Sequence, residues 1–200
     1  MNNRSELISF SAIIPAAGNS DRMGSDKALL ANSDGQTFAS HLVKSYAAFG
    51  AQPVVLIVNE HNNQPDYNGI PFIRVVNKHL DYGRSHSIFL GLQQIPNGNS
   101  CFIQNVDNPF IEPFLLEQML ALAESDGFVV PVWNGMGGHP VLLGVNVVSY
   151  IQGLNALPDF REVLKEFKRI ALPFPDERIL WNINTPGEYE KFLKMRRREE

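Results

Sequence analysis

A loop close to the start of the chain brings together the residue types that hold a polyphosphate. It follows an apolar run over residues 8–14, whose β-branched and aromatic residues predict a buried strand. Small residues at positions 16–18 let the backbone approach a ligand and turn its N–H groups towards an anion. Two cations, Arg22 and Lys27, follow on the same loop and match charge on several phosphate oxygens at once. Composition alone also allows an ordinary strand-to-loop connection with solvated charges.

The segments that must position this loop alternate between strand and helix patterns. Predicted strands span residues 8–14, 54–58, 72–76, 101–106 and 127–133, and predicted helices span residues 37–49, 113–124 and 161–167. Ser85 is the predicted N-cap of a further helix that carries Ile88 and Leu92. This alternation predicts an α/β fold with right-handed crossovers and a mostly parallel, doubly wound sheet. Since no linker or repeat interrupts it, we expect residues 1–200 to form a single domain.

Bulk properties narrow the class of protein. The formal net charge of −4 argues against nucleic-acid binding, and no apolar stretch is long enough to span a bilayer. Cys101 is the single cysteine and lies in an apolar run, as expected for a core residue in a reducing compartment. With no signal-peptide pattern, the sequence predicts a cytoplasmic protein without membrane contact.

Two further segments carry polar residues that could belong to a site. Asp107 directly follows the predicted strand 101–106, where it could hold a divalent cation or simply cap the helix at 113–124. His139 lies in a glycine- and proline-containing turn, where it could act as acid, base or phosphate donor or be an ordinary loop residue.

The order of the loop residues resembles a known signature. The segment reads Ala16-Ala17-Gly18-Asn19-Ser20-Asp21-Arg22-Met23-Gly24, followed by Lys27 and Leu29-Leu30. It resembles the MobA-like NTP transferases, nucleotidyltransferases built on the glycosyltransferase-A-like Rossmann fold. Within them it looks most like the molybdenum-cofactor cytidylyltransferase-like branch. The segments around Asn77, Gly83 and Ser87, the Asp107-Asn108-Pro109 turn and Gly138-His139-Pro140 also match features of that family.

The resemblance implies a three-layer Rossmann-like fold of the nucleotide-diphospho-sugar transferase type and a set of site residues. Nucleotide-binding residues would be Ala16, Ala17, Gly18, Asn19, Ser20, Met23, Gly24, Asn77 and Ser87. Arg22, Lys27 and Asp107 would be catalytic, Asp107 and Asn182 would hold Mg²⁺, and His139 would bind the acceptor without transferring a proton.

Two segments depart from the family pattern. Residues 157–161 replace a Gly-Asp-x-Gly motif, and Asp159 there could equally be a helix N-cap. Near the end of the chain, Asn182 and Asn184 stand where acids are usual, ahead of a capping box from Thr185 to Glu188. An amide oxygen brings no charge, so the sequence predicts a weaker metal site than one with two carboxylates.

The resemblance therefore predicts an enzyme that transfers a nucleoside monophosphate from an NTP, with CTP favoured, to a phosphate-bearing acceptor such as molybdopterin. Pyrophosphate would leave, and an enzyme that accepts the finished cofactor could be a partner. Two alternatives stay open. One is the same transfer to another acceptor, such as a sugar phosphate. The other is a nucleotide-binding accessory protein that has lost catalysis, for which Asn182 and Asn184 are the best support.

Overall fold

The computed structural model describes residues 9–18, 20, 22–63, 67, 69–156 and 158–199. Its strands are β1 (Phe10–Pro15), β2 (Val54–Val58), β3 (Ile73–Val76), β4 (Ser100–Ile103), β5 (Gly127–Trp133), β6 (Met136–Gly137), β7 (Val141–Leu143) and β8 (Lys168–Pro173). Its α-helices are α1 (Phe38–Phe49), α2 (Gly83–Leu92), α3 (Pro113–Ala121), α4 (Val145–Gln152), α5 (Phe160–Leu164) and α6 (Pro186–Glu199). Short 3₁₀ helices cover Lys27–Leu29, Leu80–Tyr82 and Glu177–Leu180.

The strands form one sheet in the order β3-β2-β1-β4-β7-β5-β6, and β8 pairs with β5. Strands β3, β2, β1 and β4 are parallel neighbours, and β8 is parallel to β5. Strand β7 runs antiparallel between β4 and β5, and the β5–β6 hairpin is also antiparallel. The expected mostly parallel α/β sheet is confirmed. Because β1 to β4 all run the same way, the loops that follow them meet at one edge of the sheet.

Each face of the sheet carries its own hydrophobic core, as the side-chain alternation of a strand requires. On β1, Ala12 and Ile14 pack into the core that also contains α1 residues such as Leu42. Ile13 points to the opposite face, where it packs with Ile88 of α2. The chain is thus three layers, with helices covering both faces of the sheet.

Local capping signals account for the helix boundaries that the sequence predicted well. Thr37 caps α1 by accepting from the N–H of Ser40 at 3.1 Å, and Gly50 ends this helix in a left-handed conformation at φ 102°. Asp159 caps α5 by accepting the N–H groups of Arg161 and Glu162.

The prediction that Ser85 caps α2 was wrong. The helix begins two residues earlier, and the Ser85 hydroxyl accepts the N–H of Phe160 at 3.0 Å. This bond joins the first turn of α2 to the start of α5. Asp107 does not cap α3 either, because the N-cap position is Glu112. Within the described part of the chain, no helix is long and apolar enough to cross a membrane.

Candidate active site

A cavity of about 240 Å³ opens at the carboxyl edge of the sheet, where the loops after β1, β3 and β4 converge. Its lining includes eight residues that the sequence predicted for the site: Ala16, Ala17, Gly18, Ser20, Lys27, Asn77, Ser87 and Asp107. The lining also contains Arg84 and Asn105, which the sequence reading had not assigned to the site. Asn19 lies outside the described residues.

Two buried asparagines after β2 hold the first part of the loop that follows β1. Asn62 donates from Nδ2 to the carbonyl of Ala16 at 2.7 Å, and Asn59 donates to the carbonyl of Ala17 at 3.3 Å. Asn62 Oδ1 also accepts the N–H of Asn59 at 2.7 Å, so the pair forms one network. Asn62 lies in a polar stretch of the sequence, which would suggest a surface loop, yet the fold leaves it only 2% exposed. We refer to Asn59 and Asn62 as the loop brace.

The second part of the loop turns back through Ser20, which has a positive φ of 54°. The N–H groups of Met23 and Gly24 donate to the Ser20 carbonyl, and the Lys27 N–H donates to Ser20 Oγ at 3.2 Å. Gly24 adopts φ +71°, a conformation that suits glycine at this turn. These bonds present Lys27 to the cavity.

Three predicted residues of this loop, Arg22, Met23 and Gly24, do not line the cavity. Met23 is a correction: its apolar side chain is 6% exposed and packs into the core on the α1 face, so it anchors the loop and has no cavity surface. Gly24 serves the turn. Arg22 is exposed on the loop. The pKa of Glu188 is lowered chiefly by the hydrogen bond from the Asn184 N–H, and the charge of Arg22 adds to this effect.

Lys27 joins the loop to two distant segments. Its Nζ donates to Asp107 Oδ2 at 3.3 Å and to Asn184 Oδ1 at 2.5 Å. The Lys27 and Asp107 side chains are only 15% and 22% exposed, so water screens their attraction less than it would on an open surface.

The chain after β8 reaches this point because β4's loop holds it there. The N–H of Ile183 donates to the Asp107 carbonyl at 2.7 Å. Asn108, which is fully buried, donates from Nδ2 to the carbonyl of Ile179 at 2.9 Å. These two bonds set residue 184 beside Lys27.

The same geometry corrects the prediction for Asn182. Its side chain is exposed and donates to the Leu180 carbonyl at 3.2 Å, and no hydrogen bond joins it to Lys27 or Asp107 among the described residues. Asn184, two residues later, is the asparagine that the fold brings to the Lys27–Asp107 pair.

Asp107 has a carboxylate oxygen that could bind a divalent cation. Its Oδ1 is buried and has no hydrogen-bond partner, whereas Oδ2 accepts from Lys27. Within the described ranges, no group of three or more His, Cys, Asp or Glu residues could hold a metal by itself. The residues therefore fit a Mg²⁺-like ion that takes one carboxylate here and its other oxygens from substrate phosphates and water.

Asn77 and Ser87 connect the end of β3 to α2 at the cavity wall. Asn77 is 1% exposed and donates from Nδ2 to Ser87 Oγ at 3.0 Å. Its Oδ1 accepts the N–H of His79 at 2.8 Å. Because Asn77 already holds Ser87 in place, the Ser87 hydroxyl has a fixed direction at the cavity surface.

A second cavity of about 450 Å³ adjoins the first, and Arg84 and Asn105 line both. His139 lines this second cavity, and its Nε2 lies 2.9 Å from Asn105 Nδ2. Burial, together with the charges of Arg84 and Arg161, lowers the pKa of His139 to about 4. His139 is therefore neutral at pH 7 and accepts the Asn105 N–H at Nε2.

Comparisons with known proteins place the chain in a family. Residues 12–170 match the model of the MobA-like NTP transferase domain. The chain is 29% identical to a probable molybdenum cofactor guanylyltransferase of Natranaerobius thermophilus, covering 92% of this chain and 95% of that protein. It is 25% identical to the molybdenum cofactor cytidylyltransferase of Escherichia coli K12, with the same two coverages.

Solved structures share the fold. A nucleotidyl transferase from Methanothermobacter thermautotroptrophicus superposes with a TM-score of 0.79 at 18% identity, over 96% of this chain and 99% of that one. A Mycobacterium tuberculosis H37Rv protein solved in complex with manganese superposes with a TM-score of 0.67 at 16% identity, over 94% and 98% of the two chains. Because the family model covers most of the sequence, the chain belongs to the MobA-like NTP transferase domain family.

Proposed function

We propose that this protein transfers a nucleoside monophosphate from an NTP to a phosphate-bearing acceptor and releases pyrophosphate. One observation carries the proposal: the cavity that contains Lys27 and Asp107 opens onto a second cavity through the shared residues Arg84 and Asn105. Two adjoining cavities suit a reaction between two bound substrates, because the reacting atoms must be held close together in one orientation.

In this reaction, an oxygen of the acceptor phosphate attacks the α-phosphorus of the NTP. The new phosphorus–oxygen bond forms as the bond to the β-phosphate oxygen breaks, and its electron pair leaves with pyrophosphate. Such a transfer needs positioning and charge neutralisation more than a protein nucleophile. The amides of Ala17 and Gly18 would bind phosphate oxygens, and Lys27 would stabilise the charge that develops on them. Arg22, which is exposed on the same loop, would add a second cation for the phosphates.

Asp107 is the proposed ligand of Mg²⁺, and its unpaired Oδ1 supports this role. When bound, the ion would supply positive charge to the phosphates and help to orient them. Asn184 is the better placed second ligand, since its Oδ1 already faces Lys27 beside Asp107. Asn182 would serve only after its side chain turned away from Leu180.

The base and the acceptor are the finer parts of the proposal. CTP is the donor predicted from the sequence resemblance, while the relatives are named for guanylyl as well as cytidylyl transfer. Molybdopterin is the proposed acceptor, since both relatives are named for the molybdenum cofactor. His139 and Asn105 would contact it in the second cavity, and a cofactor-accepting enzyme is the proposed partner.

The test is pyrophosphate release from each of the four NTPs with Mg²⁺, with and without molybdopterin. We expect release with CTP that depends on molybdopterin. Release with GTP alone would overturn the donor while leaving the reaction class intact. Nucleotide binding without release, for every acceptor offered, would contradict catalysis and favour an accessory binding protein.

A further inference from the structure

Every charged side chain that lines the second cavity is positively charged. Its lining contains Arg84, Arg161, Lys165 and Arg169 and no Asp or Glu, in a chain where acidic residues outnumber basic ones. A ring of one sign around a concave surface concentrates the opposite charge there. This bias therefore indicates an anionic ligand.

Ion pairs leave three of these cations available. Lys165 is paired with Glu162 at 2.7 Å, so its charge is already compensated. Among the described residues, the guanidinium groups of Arg84, Arg161 and Arg169 form no salt bridge. Asp159, whose field reaches Arg84, already accepts two backbone N–H groups at the start of α5.

The three arginines stand at two separate positions. Arg84 and Arg161 lie together, because the Ser85–Phe160 hydrogen bond joins the first turns of α2 and α5. Partial burial, together with the positive charge of Arg161, lowers the pKa of Arg84. The guanidinium stays protonated at neutral pH. Arg84 also borders the nucleotide cavity.

Arg169 belongs to the other side of the cavity. It lies on β8, and its guanidinium approaches Gly137 of β6. Helix α2 packs over β1 and β2, and β4, β7 and β5 separate β1 from β8 in the sheet. The Arg169 guanidinium reaches back over β5 to Gly137, but its charge is not among those that act on Arg84, whereas the charge of Arg161 is. One small anion cannot satisfy both Arg169 and the Arg84–Arg161 pair.

Between the two positions, the floor of the cavity is mostly apolar and includes Phe128, Val141 and Phe160. The uncharged polar exceptions are His139 and Asn105, and Asn105 is 7% exposed and has an Oδ1 without a hydrogen-bond partner. A buried amide atom left unpaired costs free energy until a ligand or water donates to it. The floor thus fits an apolar or aromatic body with a polar group over Asn105.

We propose that the acceptor is a phosphate monoester with a largely apolar body and a second anionic group. Its reacting phosphate binds Arg84 and Arg161 beside the nucleotide cavity, and its second anion binds Arg169. This inference rests on the proposed function for the identity of the second cavity, and it deepens that function by adding a requirement on the acceptor's chemistry.

The experiment compares two probes that differ only in the second charge, phenyl phosphate and 4-carboxyphenyl phosphate, by isothermal titration calorimetry on the full chain. We expect the carboxylated probe to bind about tenfold more tightly, as one charge-assisted Arg–carboxylate contact supplies. Equal affinities, or no binding of either probe at millimolar concentration, would overturn the proposal.

Variants then assign the two positions. Arg169→Gln should remove the preference for the carboxylated probe and change phenyl phosphate binding by about twofold or less. Arg161→Gln should weaken both probes. Lys44→Gln, on α1 at the opposite face of the sheet, removes the same charge and should change neither affinity. A preference that survives Arg169→Gln would refute the second subsite.

Turnover separates this inference from the function beneath it. Pyrophosphate release with a singly charged acceptor, together with equal probe affinities, would leave the function standing and overturn the second anion. A probe preference that depends on Arg169, with no release from any NTP, would support the two-anion cavity and refute nucleotidyl transfer.

Discussion

Lys27 connects three segments of the chain through one ammonium group: its own loop, Asp107 after β4 and Asn184 ahead of α6. Lys27 belongs to a loop, yet the fold leaves its side chain only 15% exposed. A cation in this position adds charge stabilisation where water is partly excluded, which makes each interaction stronger.

Lys27→Ala is expected to lower the rate of pyrophosphate release by about 100- to 1000-fold. The free energy of unfolding should fall by only about 1–2 kcal/mol, because the Asp107 carboxylate stays accessible to water in the cavity. Steady-state kinetics and urea unfolding measure the two effects. Lys44→Ala is the matched control, and a Lys27 variant with a near-normal rate would refute its catalytic role.

Asn184 and Asn182 offer a second test at the scale of single residues. Asn184→Asp places a second carboxylate next to Asp107, so we expect the half-saturating Mg²⁺ concentration to fall by about tenfold. Asn182→Asp adds the same charge at an exposed position that, within the described part of the chain, has no hydrogen bond to the Lys27–Asp107 pair, and it should leave the half-saturating Mg²⁺ concentration unchanged. The measurement is a Mg²⁺ titration of pyrophosphate release. The reverse order of effects would return the ligand role to Asn182.

At the scale of elements, the loop brace decides where the backbone N–H groups of Ala17 and Gly18 point. Asn62 donates a hydrogen bond to the Ala16 carbonyl, and Asn59 donates one to the Ala17 carbonyl. These two bonds fix the orientation of the peptide units that carry the carbonyls. The brace itself is held because the Asn59 and Asn62 side chains also bond to backbone N–H groups of their own turn.

Asn62→Ala should therefore raise the KM for the NTP with a smaller change in kcat. It also leaves the Ala16 carbonyl and the Asn59 N–H without these partners, so stability should fall by about 1–3 kcal/mol. Steady-state kinetics against NTP concentration and thermal unfolding provide the readouts. Asn63→Ala, at an exposed neighbour, is the control. If both variants had the same KM, the brace would have no part in nucleotide binding.

The elements also show which inferences a sequence allows. Helix α1 and strand β2 were predicted closely because their signals are local, in the Thr37 and Gly50 caps and in an unbroken apolar run. The capping box at Thr185 and Glu188 is confirmed for the same reason.

What the sequence missed depends on distant partners. Ser85 has a good N-cap residue type, but its hydroxyl bonds to a residue 75 positions away. Asn184 meets Lys27 across 157 positions, and Asn62 reaches Ala16 across 46. Motif spacing identified the loop, Asp107 and Ser87, but only the folded chain could distinguish Asn184 from Asn182 or place Arg84 between two cavities.

At the scale of the whole molecule, His139 ties stability to pH. Its pKa is about 4 in the folded chain against an ordinary value of 6.5, chiefly because it is buried. Between these two values the unfolded chain binds more protons than the folded one, so stability falls as pH decreases through this range. The loss that His139 causes is about 3 kcal/mol once the pH reaches about 4.

Two carboxylates with shifted pKa values, Asp176 and Glu188, act mainly below that window. Hydrogen bonds to Asp176 and Glu188 lower their pKa values from 3.8 and 4.5, so their contributions to stability disappear only at still lower pH. Urea unfolding at pH values from about 7.5 to about 4.5 should therefore show the decline for the wild type and a flatter profile for His139→Gln. His61→Gln, at an exposed position, is the control for the substitution itself. A His139→Gln profile parallel to that of the wild type would mean that His139 is protonated alike in both states, and the neutral hydrogen bond to Asn105 would then be wrong.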